Sequence, residues 1–309
     1  MTFKVSTPLR YPGGKSVFTD YFQAYIEINH IQNVIYAEPY CGGAGAAINL
    51  LLKGSVSKII LNDANFSIYA FWYSLKYLGN EFINLFETTE VTLIEWKKQR
   101  EIFKNSKANT DNESILKLGF ATFFLNRCNR SGILTAGPIG GQSEIGQANA
   151  SSKISARYNK SALRVKINKI IDKRDQIIVT NLDALSFLKL QIETQPEIDL
   201  NNTFVYLDPP YFKQGSSLYM NYYKQADHRI LAEYLNECLS FHWILSYDNV
   251  AEIRELYRDF VQYSFYLNYS AQHSKLGCEL LVSSRQSILP ASNIIRTTEN
   301  NKTVELNRL

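Results

Sequence analysis

Five short apolar runs recur along the chain, and each stops at polar, glycine or proline residues. "NVIYAEPY" (33–40), "SKIILND" (57–63), "DQIIVTNLD" (175–183), "NTFVYLDPP" (202–210) and "HWILSYDN" (242–249) read as buried strands. Helix-period segments lie between them, at 15–28, 44–53, 64–78, 183–192 and 227–240. Strands that alternate with helices predict an α/β fold: a mostly parallel sheet with helices on both faces. Near the end, "FVQYSFYLNYS" (260–270) and "CELLVSSR" (278–285) lie too close for a crossover helix, which predicts an antiparallel hairpin at the sheet edge.

The stretch from about 80 to 165 breaks this rhythm. It opens with helical segments and then becomes "RCNRSGILTAGPIGGQSEIGQANASSK" (127–153), rich in Gly, Ser, Asn and Gln and poor in apolar periodicity. This predicts an inserted, mostly helical subdomain carrying a long functional loop. The expected organisation is a discontinuous domain of residues 1–79 and 166–290, an insert at 80–165, and a polar, loosely held tail at 291–309. Residues 153–174 are dense in Lys and Arg with one acid, Asp172. That run suits either a polyanion-binding surface or a solvated helix face.

A net charge of +4 permits a polyanionic partner without demanding one. Cys41, Cys128, Cys238 and Cys278 are scattered, as are the four histidines, so no metal site is expected. No run of apolar residues is long enough to span a membrane, and the N-terminus lacks an apolar signal core. The expectation is a soluble cytoplasmic protein.

In parallel sheets, ligands sit beyond the carboxyl ends of the strands. The first run leads into "AEPYCGGAGAAINLLL", with Gly42, Gly43 and Gly45 before a helix, where the backbone can turn tightly and approach a ligand. Asp63 closes the second run about 20 residues later, where an acid can accept hydrogen bonds from ribose hydroxyls. A plain strand–helix connection and a helix N-cap would explain the same residues. No GxxxxGK[ST] occurs, so no ATP phosphate cradle is indicated. Asp208 then stands at the mouth of the same cleft. Pro209 and Pro210 stop the strand and leave only acceptor carbonyls, which suits a substrate that offers donors, such as an exocyclic amino group. Tyr211 supplies a flat face for a planar base.

D-P-P-Y at a strand end resembles the catalytic motif of amino-directed DNA methyltransferases. The order "PLRYPGGKS" (8–16), "AEPYCGGAGAAINL", "LND" (61–63), insert and "LDPPY" is similar to the Dam-type family of adenine DNA methylases. "FFLNRCNRSG" (123–132), "ILSYDN" (244–249) and "ELLVS" (279–283) resemble further family segments. The resemblance implies a Rossmann-like, S-adenosylmethionine-dependent methyltransferase sheet whose insert recognises the target in double-stranded DNA. It implies that Tyr11, Pro12, Gly13 and Lys15 close over the donor. Glu38, Pro39, Tyr40, Gly42, Gly43 and Gly45 would hold its methionine end, Asp63 its ribose, and Asp183 would lie beside its adenine. Asp208, Pro209, Pro210 and Tyr211 would form the acceptor pocket for a flipped adenine. Arg127, Arg130, Arg157, Lys160 and Arg164 would contact DNA. The implied setting is bacterial or phage-encoded, with a monomeric enzyme and a cognate restriction or defence partner. Tyr40-Cys41-Gly42 departs from a more usual Phe-x-Gly, and the insert beyond Arg130 is unusually rich in Gly, Ser and Gln, so no target sequence is read from it. Cytosine, RNA or a glutamine side chain as acceptor, or a catalytically silent DNA-binding component, are the competing readings. Asp208 favours adenine, because cytosine enzymes of this kind more often carry Ser there and glutamine enzymes Asn.

Overall fold

The parallel strands owe their near-continuous apolar character to burial on both faces. In β4 (Thr203–Leu207), Phe204 and Tyr206 enter one hydrophobic cluster while Val205 and Leu207 enter the other. The same alternation places Tyr36 and Ala37 of β1 (Ile35–Glu38) and Ile59 and Ile60 of β2 (Lys58–Asn62) on opposite sides. The computed structural model describes residues 7–10, 14–106, 108–212, 224–238, 240–269, 275–291, 295 and 304–309.

Among these residues the sheet has eight strands in the order β3-β2-β1-β4-β5-β7-β6-β8, with β3 at Ile177–Thr180, β5 at His242–Asp248, β6 at Gln262–Tyr269, β7 at Lys275–Ser283 and β8 at Asn307–Arg308. Strands β1 to β5 pair in parallel. The expected hairpin is β6 and β7, antiparallel in the register Phe265↔Glu279, with β7 against β5. In the described part of the expected tail, β8 pairs with β6, and Ile295 and Val304 are buried.

The 3₁₀ turn Lys15–Phe18 leads into α1 (Thr19–Ile28), and α2 (Gly45–Lys53) and α3 (Phe66–Tyr77) follow β1 and β2. Between α3 and β3 come α4 (Gly79–Thr88), α5 (Leu93–Asn105), α6 (Asn112–Cys128), the short α7 (Glu144–Asn149) and α8 (Lys160–Ile171). Their starts are set locally: the side chains of Thr92, Asp111, Ser143 and Asn159 cap α5, α6, α7 and α8. These helices share the core of one sheet face. Phe71 of α3 stacks on Phe123 of α6 with centroids 6.1 Å apart, and Phe123 in turn meets Tyr158 at 5.5 Å. At Gly119 the two helices come so close that a Cβ would lie 2.5 Å from the Ala70 carbonyl oxygen. The opposite sheet face is covered by α9 (Ala184–Ser186), which continues as a π-helical stretch Phe187–Glu193, and by the helices Gln225–Glu237 and Ala251–Leu256. No helix among the described residues is long and apolar enough to cross a membrane.

Candidate active site

The sheet order reverses between β1 and β4. Successive connections leave β1 toward β2 and β3, and leave β4 toward β5, so a crevice opens beyond the carboxyl ends of these two neighbours. Glu38 ends β1 and Asp208 follows β4 directly.

On the β1 side, Glu38 is buried, and its Oε1 accepts from the Tyr36 hydroxyl at 2.9 Å and the Ala47 amide at 3.2 Å. Burial pushes this carboxyl up to about 8, against those two hydrogen bonds, and the charge of Asp208 adds to the rise. The glycine turn is clamped from three sides. The Cys41 amide donates to the Asn62 carbonyl at 2.8 Å, the Gly42 amide donates to Asp63 Oδ2 at 2.9 Å, and the Trp72 indole donates to the Gly42 carbonyl at 2.9 Å. Gly42 holds a left-handed φ of 44°, which favours glycine. A Cβ on Gly45 would sit 3.1 Å from Ser16 Cβ, so that glycine lets the start of α2 lie against the segment that follows Lys15.

Asp63 serves the turn directly. Its second oxygen accepts from the Asn65 amide at 2.9 Å, and burial pushes the carboxyl up to about 6 in spite of the two amides. The N-cap of α3 is Asn65, two residues beyond Asp63. Pro39 is buried beside the turn, its carbonyl accepting from Asn62 at 2.9 Å, and Tyr40 and Gly43 complete it. Asp183 is exposed and caps α9 through the Ser186 amide.

On the β4 side the arrangement is denser. Lys15, expected to close over the donor, puts its buried ammonium 3.0 Å from both Asp208 oxygens and 3.0 Å from the Tyr211 hydroxyl. Burial alone would lower this ammonium's pKa, but Asp208 and Glu279 outweigh it and raise it well above the usual lysine range. Ser246 of β5 donates to Asp208 Oδ1 at 3.0 Å, and the Tyr206 hydroxyl lies 2.6 Å from the same Ser246 oxygen. Tyr211 donates to Glu279 Oε1 at 2.5 Å. The backbone after the two prolines is fixed by Asp248, whose carboxylate accepts from the Phe212 amide at 2.9 Å. Tyr11, Pro12 and Gly13 lie outside the described residues.

Ser246, Asp248 and Glu279 were not among the expected site residues. The available signal was a polar or charged residue inside an apolar strand, as in "CELLVS", where a buried carboxylate demands a partner.

The expected DNA-facing cations separate into two groups. Lys160 donates to the Glu87 and Thr89 carbonyls, and Arg164 pairs with the Glu87 carboxylate through two contacts of 2.5 Å. Arg127 instead donates to backbone carbonyls, of Arg157 at 2.7 Å and of Pro8 at 3.4 Å, and Arg10 donates to the Asn129 carbonyl at 3.2 Å. Burial, and then the charge of Arg10, lower the Arg127 guanidinium to about 10. No carboxylate among the described residues forms an ion pair with Arg10, Arg127, Arg130 or Arg157. The asparagines of "FFLNRCNRSG" brace this region. Asn126 accepts from the Arg10 amide at 2.7 Å and donates to its carbonyl at 2.8 Å, and Asn129 accepts from the Trp96 indole at 2.7 Å.

The β1 side fits S-adenosylmethionine: a buried acid that a cationic ligand would ionise into its counter-ion lies beside a clamped glycine turn. An rRNA methyltransferase, AviRa from Streptomyces viridochromogenes, is similar in two solved structures. One has 13% identity over 90% of this chain and 87% of that chain with a TM-score of 0.36, and the other 12% over 86% and 84% with a TM-score of 0.32. No curated protein matches the chain in sequence. The family model of the D12 class N6 adenine-specific DNA methyltransferases matches residues 11–270. The chain therefore belongs to the D12 class of N6 adenine-specific DNA methyltransferases, enzymes that use S-adenosylmethionine as methyl donor.

Proposed function

We propose that the crevice between β1 and β4 is the methyl-transfer site and that Asp208 receives the target adenine's amino group. One observation carries this reading: the Asp208 carboxylate already accommodates an N–H donor, the Lys15 ammonium, against both of its oxygens. Oδ1 is committed to Ser246 and Lys15, whereas Oδ2 has only Lys15 among the described residues. Oδ2 is thus the oxygen with capacity for a further N–H.

An adenine amino nitrogen is a poor nucleophile because its lone pair is delocalised into the ring. Asp208 and the carbonyl of Pro209 accept its two N–H bonds, which favours a pyramidal nitrogen with an available lone pair. Bound S-adenosylmethionine supplies a methyl group on a positively charged sulfur. Glu38, the Gly42–Gly43 turn, Pro39 and Tyr40 hold its methionine end, Asp63 its ribose and Asp183 the region of its adenine. Positioning and electrostatics provide most of the acceleration. Tyr211 offers its ring to the target base, flipped out of double-stranded DNA, and its hydroxyl keeps that ring in place. Arg127, Arg130 and Arg157, with Arg10 beside them, face the phosphate backbone. Arg164 contributes less, because the Glu87 carboxylate already neutralises it, and Lys160 lies beside that carboxylate with its ammonium on the Glu87 and Thr89 carbonyls. The working unit is a single chain.

Asp208→Ala tests the assignment. The variant should bind S-adenosylmethionine with near wild-type affinity by calorimetry, stay folded with a lowered melting temperature because the buried Lys15 loses a partner, and transfer no tritiated methyl to unmethylated genomic DNA. A fully active variant ends the reading.

A further inference from the structure

The acceptor pocket contains one carboxylate that the reaction so far leaves unused. Glu279 is 1% exposed and lies at the base of the pocket on β7. Its Oε1 receives the Tyr211 hydroxyl at 2.5 Å and lies 3.5 Å from the Lys15 ammonium, while its buried Oε2 has no hydrogen-bond partner among the described residues. The donors form a directed chain. Lys15 contacts Asp208 at 3.0 Å and donates to Tyr211 at 3.0 Å, and Tyr211 donates onward to Glu279. A buried carboxylate with one oxygen left without a donor is poorly compensated for its charge, so the end of such a chain is disposed to take up a proton.

We propose that Glu279 is the transient proton store of the methyl-transfer reaction, filled from Asp208 through Lys15 and Tyr211. The proposal rests on the reading of Asp208 as the acceptor-side carboxylate. When the new N–C bond forms and the methyl–sulfur bond breaks with its electron pair left on sulfur, the amino nitrogen holds one proton too many. That proton passes to Asp208. Lys15 then gives a proton to the Tyr211 oxygen as Tyr211 gives its own to Glu279 Oε1, and Lys15 takes the proton from Asp208. Asp208 ends ionised, Lys15 an ammonium, Tyr211 a phenol and Glu279 neutral. One proton has moved and nothing is oxidised or reduced.

The store is of use because the Asp208 side chain is 24% exposed without a substrate, and a base bound against it would cover that exposed part. When the methylated base leaves, the proton returns along the chain to Asp208 and water. Burial raises the Glu279 carboxyl, Lys15 lowers it and Asp208 raises it, leaving it at about 7, where a group can both take and release a proton near neutrality. The other titratable groups that face it are Tyr211, Tyr206 of β4 and Asp248, its direct partner on β5. Asp248 is committed to the Phe212 amide.

Single-turnover methyl transfer, with tritiated S-adenosylmethionine held saturating at every pH and unmethylated genomic DNA, tests this across about pH 5.5 to 9. The wild-type rate should rise through about pH 7 and level off. Glu279→Gln keeps the shape and the Tyr211 acceptor but cannot take the proton. Its rate should fall at least about tenfold at pH 8 and lose the rise, with donor affinity unchanged. Tyr211→Phe keeps the stacking ring but removes the relay hydroxyl, and should flatten the profile in the same way with a smaller loss, about threefold to tenfold. Two outcomes overturn the store: Glu279→Gln with the wild-type rate and profile, or both variants losing donor affinity and melting temperature in step with activity. Asp208→Ala, run in parallel, separates the levels. If it stays active, the underlying site assignment fails. If it is inactive while Glu279→Gln behaves as wild type, the relay alone fails.

Discussion

The buried Glu38 makes donor binding depend on pH in a calculable way. Without a ligand its carboxyl titrates at about 8, because burial disfavours the ionised form. If it serves as counter-ion to the donor's methionine end, binding requires the ionised form and releases the proton. With that titration point, about 1% of the protein carries the charge at about pH 6 and about half at about pH 8. Affinity should therefore rise about 50-fold across that interval, roughly 2.3 kcal/mol. Asp63, pushed up to about 6, adds a smaller effect of the same sign at the acid end. The assay is calorimetry of S-adenosylmethionine at three pH values in two buffers of different ionisation enthalpy. At about pH 7 the buffer dependence of the heat should report release of about 0.9 proton per donor bound. Glu38→Gln, which cannot ionise, should bind weakly and nearly independently of pH. Equal wild-type affinities at both ends, with no proton released, would refute the counter-ion role.

The same titrations bear on stability. Glu38, Glu279 and Asp63 all titrate above the ordinary carboxyl range when folded, so the donor-free protein holds more protons than its unfolded chain over about pH 5 to 8. Its stability is greatest at the acid end of that window and is lost as pH rises through about 8; thermal melts should show this, and Glu38→Gln should remove the largest share of the slope. Replacing Arg10, Arg127 and Arg157 with Ala should weaken DNA binding and flatten its dependence on salt, by about one counterion for each phosphate no longer neutralised. Replacing Lys160 and Arg164 should change that slope less, as titrations at two ionic strengths would show. Gly119→Ala should destabilise the protein by about 1–3 kcal/mol or more, since its Cβ would meet the Ala70 carbonyl oxygen, and denaturant unfolding measures this directly.

The parallel strands were readable because burial on both faces removes the polar alternation of an ordinary strand, leaving runs such as "TFVYL" that stop where the ligand cleft begins. Asp208 and Glu38 were readable for the same reason: each is a carboxylate at the end of an apolar run. Glu279 was hidden because its partners, Lys15 and Tyr211, lie far away in the chain and nothing local announces them. Lys15 shows how far a motif can be trusted. The motif announces the lysine, but only the three-dimensional arrangement reveals that its ammonium lies against the Asp208 carboxylate. The basic run at 153–174 looked uniform, yet Glu87 of α4 engages two of its members and leaves Arg157 beside Arg127.

The near-contact of α3 and α6 at Gly119 bears on how this enzyme can be redesigned. Because α6 lies almost backbone to backbone on α3 and its phenylalanines complete the sheet's own core, the whole helical insertion cannot be exchanged as a cassette without exposing Phe71 and its neighbours. The natural graft points lie further out, at Asn129 and Asn159, where the side chains of one brace the loop and of the other cap α8. A chimaera that transplants only the stretch between them retains the aromatic floor provided Ile154 and Tyr158, or residues of equal bulk, come with it. If the insertion chooses the target, as proposed, its diversification is channelled into the roughly thirty residues from Asn129 to Asn159, carried on a closely packed helical floor.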